Sequence, residues 1–154
     1  MSQSMTTDQG MIDEVVARLD PETLSRASAP ADLVARYLEH QHSDDLDDIG
    51  ADNVAAIIDA HVRLAAHRAA DTDSVVADTP DPSDMWRLSG STLLQIVTDD
   101  RPFLVDSVTM EITRQDWTIR HVFHPQLRVA RDTDRELVQG AAGEMISESW
   151  MTFV

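Results

Sequence analysis

The sequence predicts an α+β fold in which a helical first half precedes a β-α-β-β unit made of one helix and a small sheet. Apolar residues recur at helical spacing through residues 11–70. The apolar run Thr92–Val97 is too short for an ordinary helix, and Pro102 opens an amphipathic segment soon after it. This pattern indicates a buried strand followed by a helix.

The first half of the chain is predicted to hold several helices behind a disordered tail. Residues 1–10 are polar and are expected to be disordered. The helical segment covers 11–70, and its clearest helix carries His61 on an otherwise apolar face. Its predicted helices lie at 11–19, 30–42 and 51–69.

The second half is predicted to begin with a linker and to continue as strands around one helix. Residues 71–90 are rich in Asp, Thr, Ser and Pro, so we expect a linker in which Ser74–Ala77 could form a short edge strand. The final strand ends without a turn or polar tail, so we expect an unpaired strand edge and a unit that is incomplete at its carboxyl end. The unit over 91–154 is predicted to begin with a strand at 92–98 and a helix at 102–115. A strand at 118–131, interrupted by His124-Pro125, should follow. A returning strand at 136–154, broken by a flexible insertion at Gly140–Gly143, should end the unit.

Charge and composition argue against several classes of function. The chain has 28 acidic residues against 12 basic ones and a net charge of -16, which disfavours nucleic acid and anionic membranes as partners. It has no cysteine, and no apolar stretch approaches the ~20 residues that span a bilayer. We therefore expect a soluble, cytoplasmic protein. Every basic residue is an arginine, which favours bidentate ion pairs with carboxylates.

The turn between the buried strand and its helix is the candidate binding site. It consists of Asp99, Asp100, Arg101, Pro102 and Phe103. In one interpretation, Arg101 and the free N–H groups of the helix bind the carboxylate of an amino-acid effector, while Asp99 or Asp100 binds its ammonium group. In the other, an aspartate caps the helix within a charged turn.

Other clusters of reactive residue types are weaker candidates. His121 and His124 could form a metal-binding or proton-transfer pair, but three residues apart on a strand they point to opposite faces. His40 and His42 precede the acidic segment 44–48, which lacks the central glycine of a calcium loop and is expected to be a solvated turn. No serine lies in a nucleophile elbow, and no glycine-rich phosphate loop follows a strand. We therefore predict no catalytic residue and no metal site.

Several linked segments resemble one enzyme family. They are Thr98–Val108 (TDDRPFLVDSV), Ile119–Pro125 (IRHVFHP), Leu127–Asp132 (LRVARD) and Glu148–Trp150 (ESW). Their order is similar to that in the amino-terminal portion of the large bacterial NAD-dependent glutamate dehydrogenases, over roughly Leu33 to Val154. The resemblance implies a truncated ACT domain, which is a ferredoxin-like βαββαβ module whose remaining helix and strand would lie beyond Val154.

The resemblance also implies a regulatory or assembly role away from the catalytic centre. The parent enzyme would use NAD to deaminate L-glutamate, but nothing here matches the family's catalytic lysine or its NAD-binding fold, so no cofactor is expected on this chain. The expected partners are the remainder of the enzyme and other subunits of a homo-oligomer. Many amino-acid-sensing ACT domains have glycine where this chain has Phe103. We expect the ring to fill the pocket, which favours assembly over binding of an amino-acid effector.

Overall fold

The computed structural model describes residues 2–39, 41, 43–78 and 91–154. Its helices are α1 (Ser2–Ala17), α2 (Pro21–Arg26), α3 (Pro30–Leu38), α4 (Ser43–Ile49), α5 (Ala51–Ala65) and α6 (Leu104–Arg114). Its strands are β1 (Ser74–Asp78), β2 (Leu93–Asp99), β3 (Val122–Phe123), β4 (Gln126–Arg131), β5 (Leu137–Val138) and β6 (Glu144–Phe153), the last preceded by a 3-10 turn at Gly140–Ala142. The predicted α+β class is confirmed. None of the helices in these ranges is long and apolar enough to cross a membrane.

The strands form one antiparallel sheet with the order β1-β2-β6-β4-β5, and β3 also pairs with β6. Strand β6 runs beside β2, where Leu94 is paired with Phe153, and beside β4 on its other side. Strands β3 and β4 pair with successive stretches of β6. They are separated at His124-Pro125, where the Trp150 N–H donates to the Pro125 carbonyl at 3.0 Å. The predicted interruption at that proline is confirmed.

Three expectations about the strands are wrong. The returning strand over 136–154 is broken at the predicted insertion, but its two parts do not form one strand, because β5 pairs with one side of β4 and β6 with the other. Strand β6 is therefore a central strand with partners on both sides, whereas an unpaired final strand was expected. The sheet ends at β1 on one side and at β5 on the other, and β1 confirms the short edge strand expected at Ser74–Ala77 within the segment 71–90. The strand predicted from residue 118 begins only at Val122.

Helices lie on both faces of the sheet. Trp150 and Thr152 of β6 contact His61 of α5, whereas Ser149 and Met151 line a depression together with the first turn of α6. Successive side chains of a strand point to opposite faces. Helices α5 and α6 therefore cover opposite sides of β6.

One hydrophobic core joins the helical segment to the sheet. Val15 of α1, Val34 of α3 and Ile57 of α5 are buried in the same cluster as Val97 of β2 and Trp150 of β6. Burying such side chains contributes roughly 1.5–3 kcal/mol each. The amphipathic α5 is therefore the layer through which the amino-terminal helices stabilise the sheet.

The helices of the first half differ from the sequence prediction at several places. Helices α3 and α5 end at Leu38 and Ala65, before the predicted ends at 42 and 69, and α2 was not predicted. Helix α1 begins at Ser2, so the tail over 1–10 that was expected to be disordered is helical from that residue. The acidic segment 44–48 was expected to be a solvated turn and instead lies in α4, with Asp44 and Asp45 in its first turn. Carboxylates are stabilised there by the helix macrodipole.

Candidate functional site

The carboxylates of the turn between β2 and α6 tie the turn to its neighbours. The Asp99 carboxylate accepts a hydrogen bond from Arg68 Nη2 at 2.7 Å, and Asp100 accepts one from Ser149 Oγ at 3.0 Å. The Asp100 N–H donates to the Ser147 carbonyl at 3.2 Å. Among the described residues, no side chain caps the start of α6. The interpretation of these aspartates as helix caps is therefore wrong.

The rest of the turn is exposed and has a left-handed backbone at its last residue. Arg101 is half-exposed and donates to Thr98 Oγ1 at 2.8 Å and to Asp73 Oδ1 at 3.2 Å. Phe103 has a φ of 65°, which interrupts the helix and delays its start from the predicted Pro102 to Leu104. The Phe103 side chain is 76 % exposed. The expectation that its ring fills a pocket is wrong.

A shallow depression of about 190 Å³ adjoins the turn. Arg101, Pro102 and Phe103 line it from the turn, and Ser149 and Met151 line it from the sheet. Its volume lies below the roughly 300–1,000 Å³ of most ligand pockets. Of the five predicted site residues, Arg101, Pro102 and Phe103 thus reach this surface, whereas Asp99 and Asp100 bind Arg68 and Ser149.

A buried ion network lies directly behind the turn. Arg68, which follows α5, and Arg131, at the end of β4, both reach Glu148 in the middle of β6, each with a nitrogen 2.7 Å from Oε2. All three side chains are fully buried. Trp150 Nε1 donates to Glu148 Oε1 at 3.1 Å, and Arg68 connects the network to Asp99.

The electrostatics of this network favour its charged form. Burial alone would raise the pKa of Glu148, but the hydrogen bonds from Arg131 and Arg68 outweigh it and hold the pKa below its ordinary value. Two guanidinium groups face two carboxylates, so the network as a whole is neutral. Sequence reasoning did not identify these partners, although the exclusive use of arginine did indicate bidentate carboxylate pairing of this kind.

A second buried network connects α3, α5 and β6. Tyr37 Oη lies 2.7 Å from His61 Nδ1 and 2.6 Å from Thr152 Oγ1, and His61 Nε2 lies 3.0 Å from the Ile96 carbonyl oxygen. A carbonyl can only accept, so Nε2 of the neutral ring carries the proton and Nδ1 accepts from a hydroxyl group, that of Tyr37 or that of Thr152, whose Oγ1 lies 3.2 Å away. Gln95 Nε2 donates to Thr152 Oγ1 at 3.2 Å.

Burial keeps both titratable members of this second network neutral. It lowers the pKa of His61 to about 4 and raises the pKa of Tyr37 above its ordinary value. The histidine on the apolar face of the predicted helix was the signal that could have identified this network.

His121 and His124 lie on either side of the short strand β3. His121 precedes β3, and its backbone carbonyl accepts a hydrogen bond from the Val154 N–H at 2.9 Å. His124 follows β3 and lines the depression beside the turn. His40 and His42 lie outside the described residues. Within the described ranges, no group of three or more His, Cys, Asp or Glu side chains could hold a metal ion.

These arrangements position parts of the fold. The ion network holds the turn and β6 to the end of α5, and the tyrosine network holds α3 and α5 to β2 and β6. The charged and polar groups nearest the turn thus form hydrogen bonds and ion pairs with one another.

Comparison with known families bears on this region of the chain. The model of the glutamate dehydrogenase ACT1 domain matches residues 33–154. The match begins within α3 and includes the whole sheet, the turn and both buried networks. No solved structure matches the chain.

Proposed function

Because the chain belongs to the glutamate dehydrogenase family through its ACT1 domain, we propose that it is the regulatory and assembly region of an NAD-dependent enzyme. The parent enzyme would oxidatively deaminate L-glutamate to 2-oxoglutarate in the cytoplasm, with NAD bound elsewhere in the protein. This region itself would hold no cofactor and no catalytic residue. The isolated chain should then give no glutamate-dependent NAD reduction, and a measurable rate would contradict the proposal.

The observation that favours assembly is the apolar surface around α6. Phe103 before the helix, Met110 within it and Trp117 after it are 76 %, 72 % and 65 % exposed. Large apolar side chains gathered on one exposed surface mark interaction sites. Aromatic residues and methionine are also enriched at protein interfaces. We assign this surface to contact with a second subunit of the same enzyme.

Sedimentation equilibrium of the chain tests this assignment. The wild type should self-associate, and the double substitution Met110→Glu with Trp117→Ser should weaken association about tenfold, equivalent to about 1.4 kcal/mol. Leu24→Gln is the matched control, since Leu24 is an exposed apolar residue on α2, away from this surface. A wild-type chain that stays monomeric at high concentration, or a control that weakens association equally, would refute the assignment.

A second candidate function is the binding of an amino-acid effector at the turn. It is favoured by the start of α6, which no described side chain caps and which has Arg101 beside it. Free helix N–H groups and a guanidinium group both attract a carboxylate. Asp100 and Asp106 in and after the turn oppose this, and Arg101 is already paired with Asp73.

A thermal-shift screen of amino acids separates the two functions. An effector present at 100 times its dissociation constant should stabilise the chain by about 2.7 kcal/mol. The shift should be lost in Arg101→Gln and kept in Arg114→Gln, which changes an exposed arginine on α6. Absence of any shift across the screen would rule out effector binding by this chain.

A further inference from the structure

A larger cavity lies on the opposite face of the sheet from α6. This α3 groove, of about 390 Å³, lies between the α2–α3 corner and β4. Its volume falls within the roughly 300–1,000 Å³ range of ligand sites. Leu33, Val129 and Trp150 contribute apolar walls, and Arg26 and Arg36 line it from the two helices.

Arg26 places an unsatisfied donor in this groove. Its Nη1 donates to the Leu137 carbonyl at 2.9 Å, whereas its Nε is buried without a hydrogen-bond partner among the described residues. Glu136 Oε2, which is likewise buried without a hydrogen-bond partner among the described residues, lies 3.9 Å from Nη1, beyond hydrogen-bond distance. A buried donor without an acceptor destabilises the fold, and more so when the group is charged. An acceptor that enters the groove would remove that cost.

The charge of the groove differs from that of the whole chain. The chain carries a net charge of -16, yet the helical residues that line the groove include two arginines, Arg26 and Arg36, and one acidic residue, Asp32. Arg36 pairs with Glu39 only loosely, at 3.9 Å with both side chains more than half exposed. Such an exposed pair contributes little and exchanges readily.

From these observations we propose that the α3 groove binds a small organic carboxylate with an apolar body. The carboxylate takes the free hydrogen-bonding positions of Arg26 and Arg36, and the apolar body packs on Leu33 and Val129. The site lies apart from the α6 surface and does not depend on the proposed assembly role. Guanidinium groups suit this ligand because they bind carboxylates bidentately.

Titration of the full chain with 4-methylpentanoate, followed by nuclear magnetic resonance, tests the proposal. Saturable shifts are expected at the backbone amides of residues 26–36 and 127–130. Leucine has the same carbon skeleton with an added ammonium group. Tighter binding of leucine than of 4-methylpentanoate would show that Asp32 selects an amino acid, and weaker binding that the site prefers the plain acid. The corresponding alcohol and amine should bind about tenfold more weakly or not at all, since they lack the carboxylate.

A matched pair of arginine substitutions supplies the control. Arg36→Gln should weaken 4-methylpentanoate binding about tenfold, whereas Arg114→Gln should leave it unchanged. Both arginines are exposed, lie on helices and pair with a glutamate three residues away, so neither change is expected to unfold the chain. Equal affinity in both variants, equal binding of the alcohol, no saturable shifts, or shifts confined to the α6 surface would each overturn the proposal. None of these outcomes bears on self-association, which is measured separately.

Discussion

Replacing Glu148 by glutamine should cost more stability than any surface change in this protein. The substitution keeps the shape of the side chain but removes the carboxylate that Arg68 and Arg131 share. Arg68 would keep the charge of Asp99, at 2.7 Å, whereas Arg131 would keep only neutral acceptors such as the Arg135 carbonyl, at 2.9 Å. The variant therefore leaves a buried guanidinium group without an opposing charge.

The magnitude follows from the burial of all three partners. Removing one member of a buried ion pair costs about 3–5 kcal/mol, because the charge that remains is desolvated and uncompensated. At about 2–4 °C per kcal/mol for a chain of this size, the midpoint of thermal unfolding should fall by about 6–20 °C. Circular dichroism melting at pH 7 measures this directly. The exposed Glu111, which pairs with Arg114, provides the control, and Glu111→Gln should leave the midpoint unchanged.

The pH dependence of the same variant gives an independent check. The pKa of Glu148 lies below its ordinary value of 4.5 in the folded protein. Its carboxylate therefore contributes stability above about pH 4.5, and this contribution is lost as the pH falls through the folded pKa. Glu148→Gln should lack that part of the acid sensitivity. An unfolding midpoint equal to that of the wild type, or an unchanged acid profile, would refute the network as a source of stability.

Three further predictions concern single residues. Gly143→Ala should destabilise the protein by about 1–3 kcal/mol in urea unfolding, because its Cβ would lie 2.6 Å from the Arg131 carbonyl oxygen, whereas Gly10→Ala, with open space around the new atom, should not. Tyr37→Phe should cost about 1–3 kcal/mol by the same measurement, since it removes the hydroxyl group that bonds both His61 and Thr152; a neutral result would contradict a stabilising role for this network. His61, with its pKa lowered from 6.5 to about 4, should make stability fall as the pH drops across that window, because the unfolded state binds the proton first, and His61→Gln should flatten the profile between about pH 6.5 and 4.5.

Local patterns in the sequence predicted much of the fold correctly. The apolar run before Asp99, the helix after Pro102 and the proline break at Pro125 all correspond to features of the structure. Each depends on periodicity or on backbone chemistry within a few residues, so each can be recognised from a short stretch of sequence. The same segments carry the resemblance that the family match over 33–154 bears out.

The errors arose where local chemistry allowed two outcomes. Asp100 is a good helix-capping residue, but Ser149 lies close enough to take its carboxylate instead. Phe103 is apolar, yet its left-handed backbone directs the ring to solvent. In both cases a neighbour or a backbone conformation decided the result, and neither can be read from residue type.

The sequence by itself determined that this chain forms helices followed by a β-α-β-β unit, because hydrophobic spacing and turn chemistry act over short distances. Only the tertiary structure decided which strand is central and which side chains meet. Arg68 and Glu148 are 80 residues apart, and Tyr37 and Thr152 are 115 apart. Such partners are selected when the helices pack on the sheet, since a buried charge or hydroxyl must find a partner among whatever the packing brings within reach.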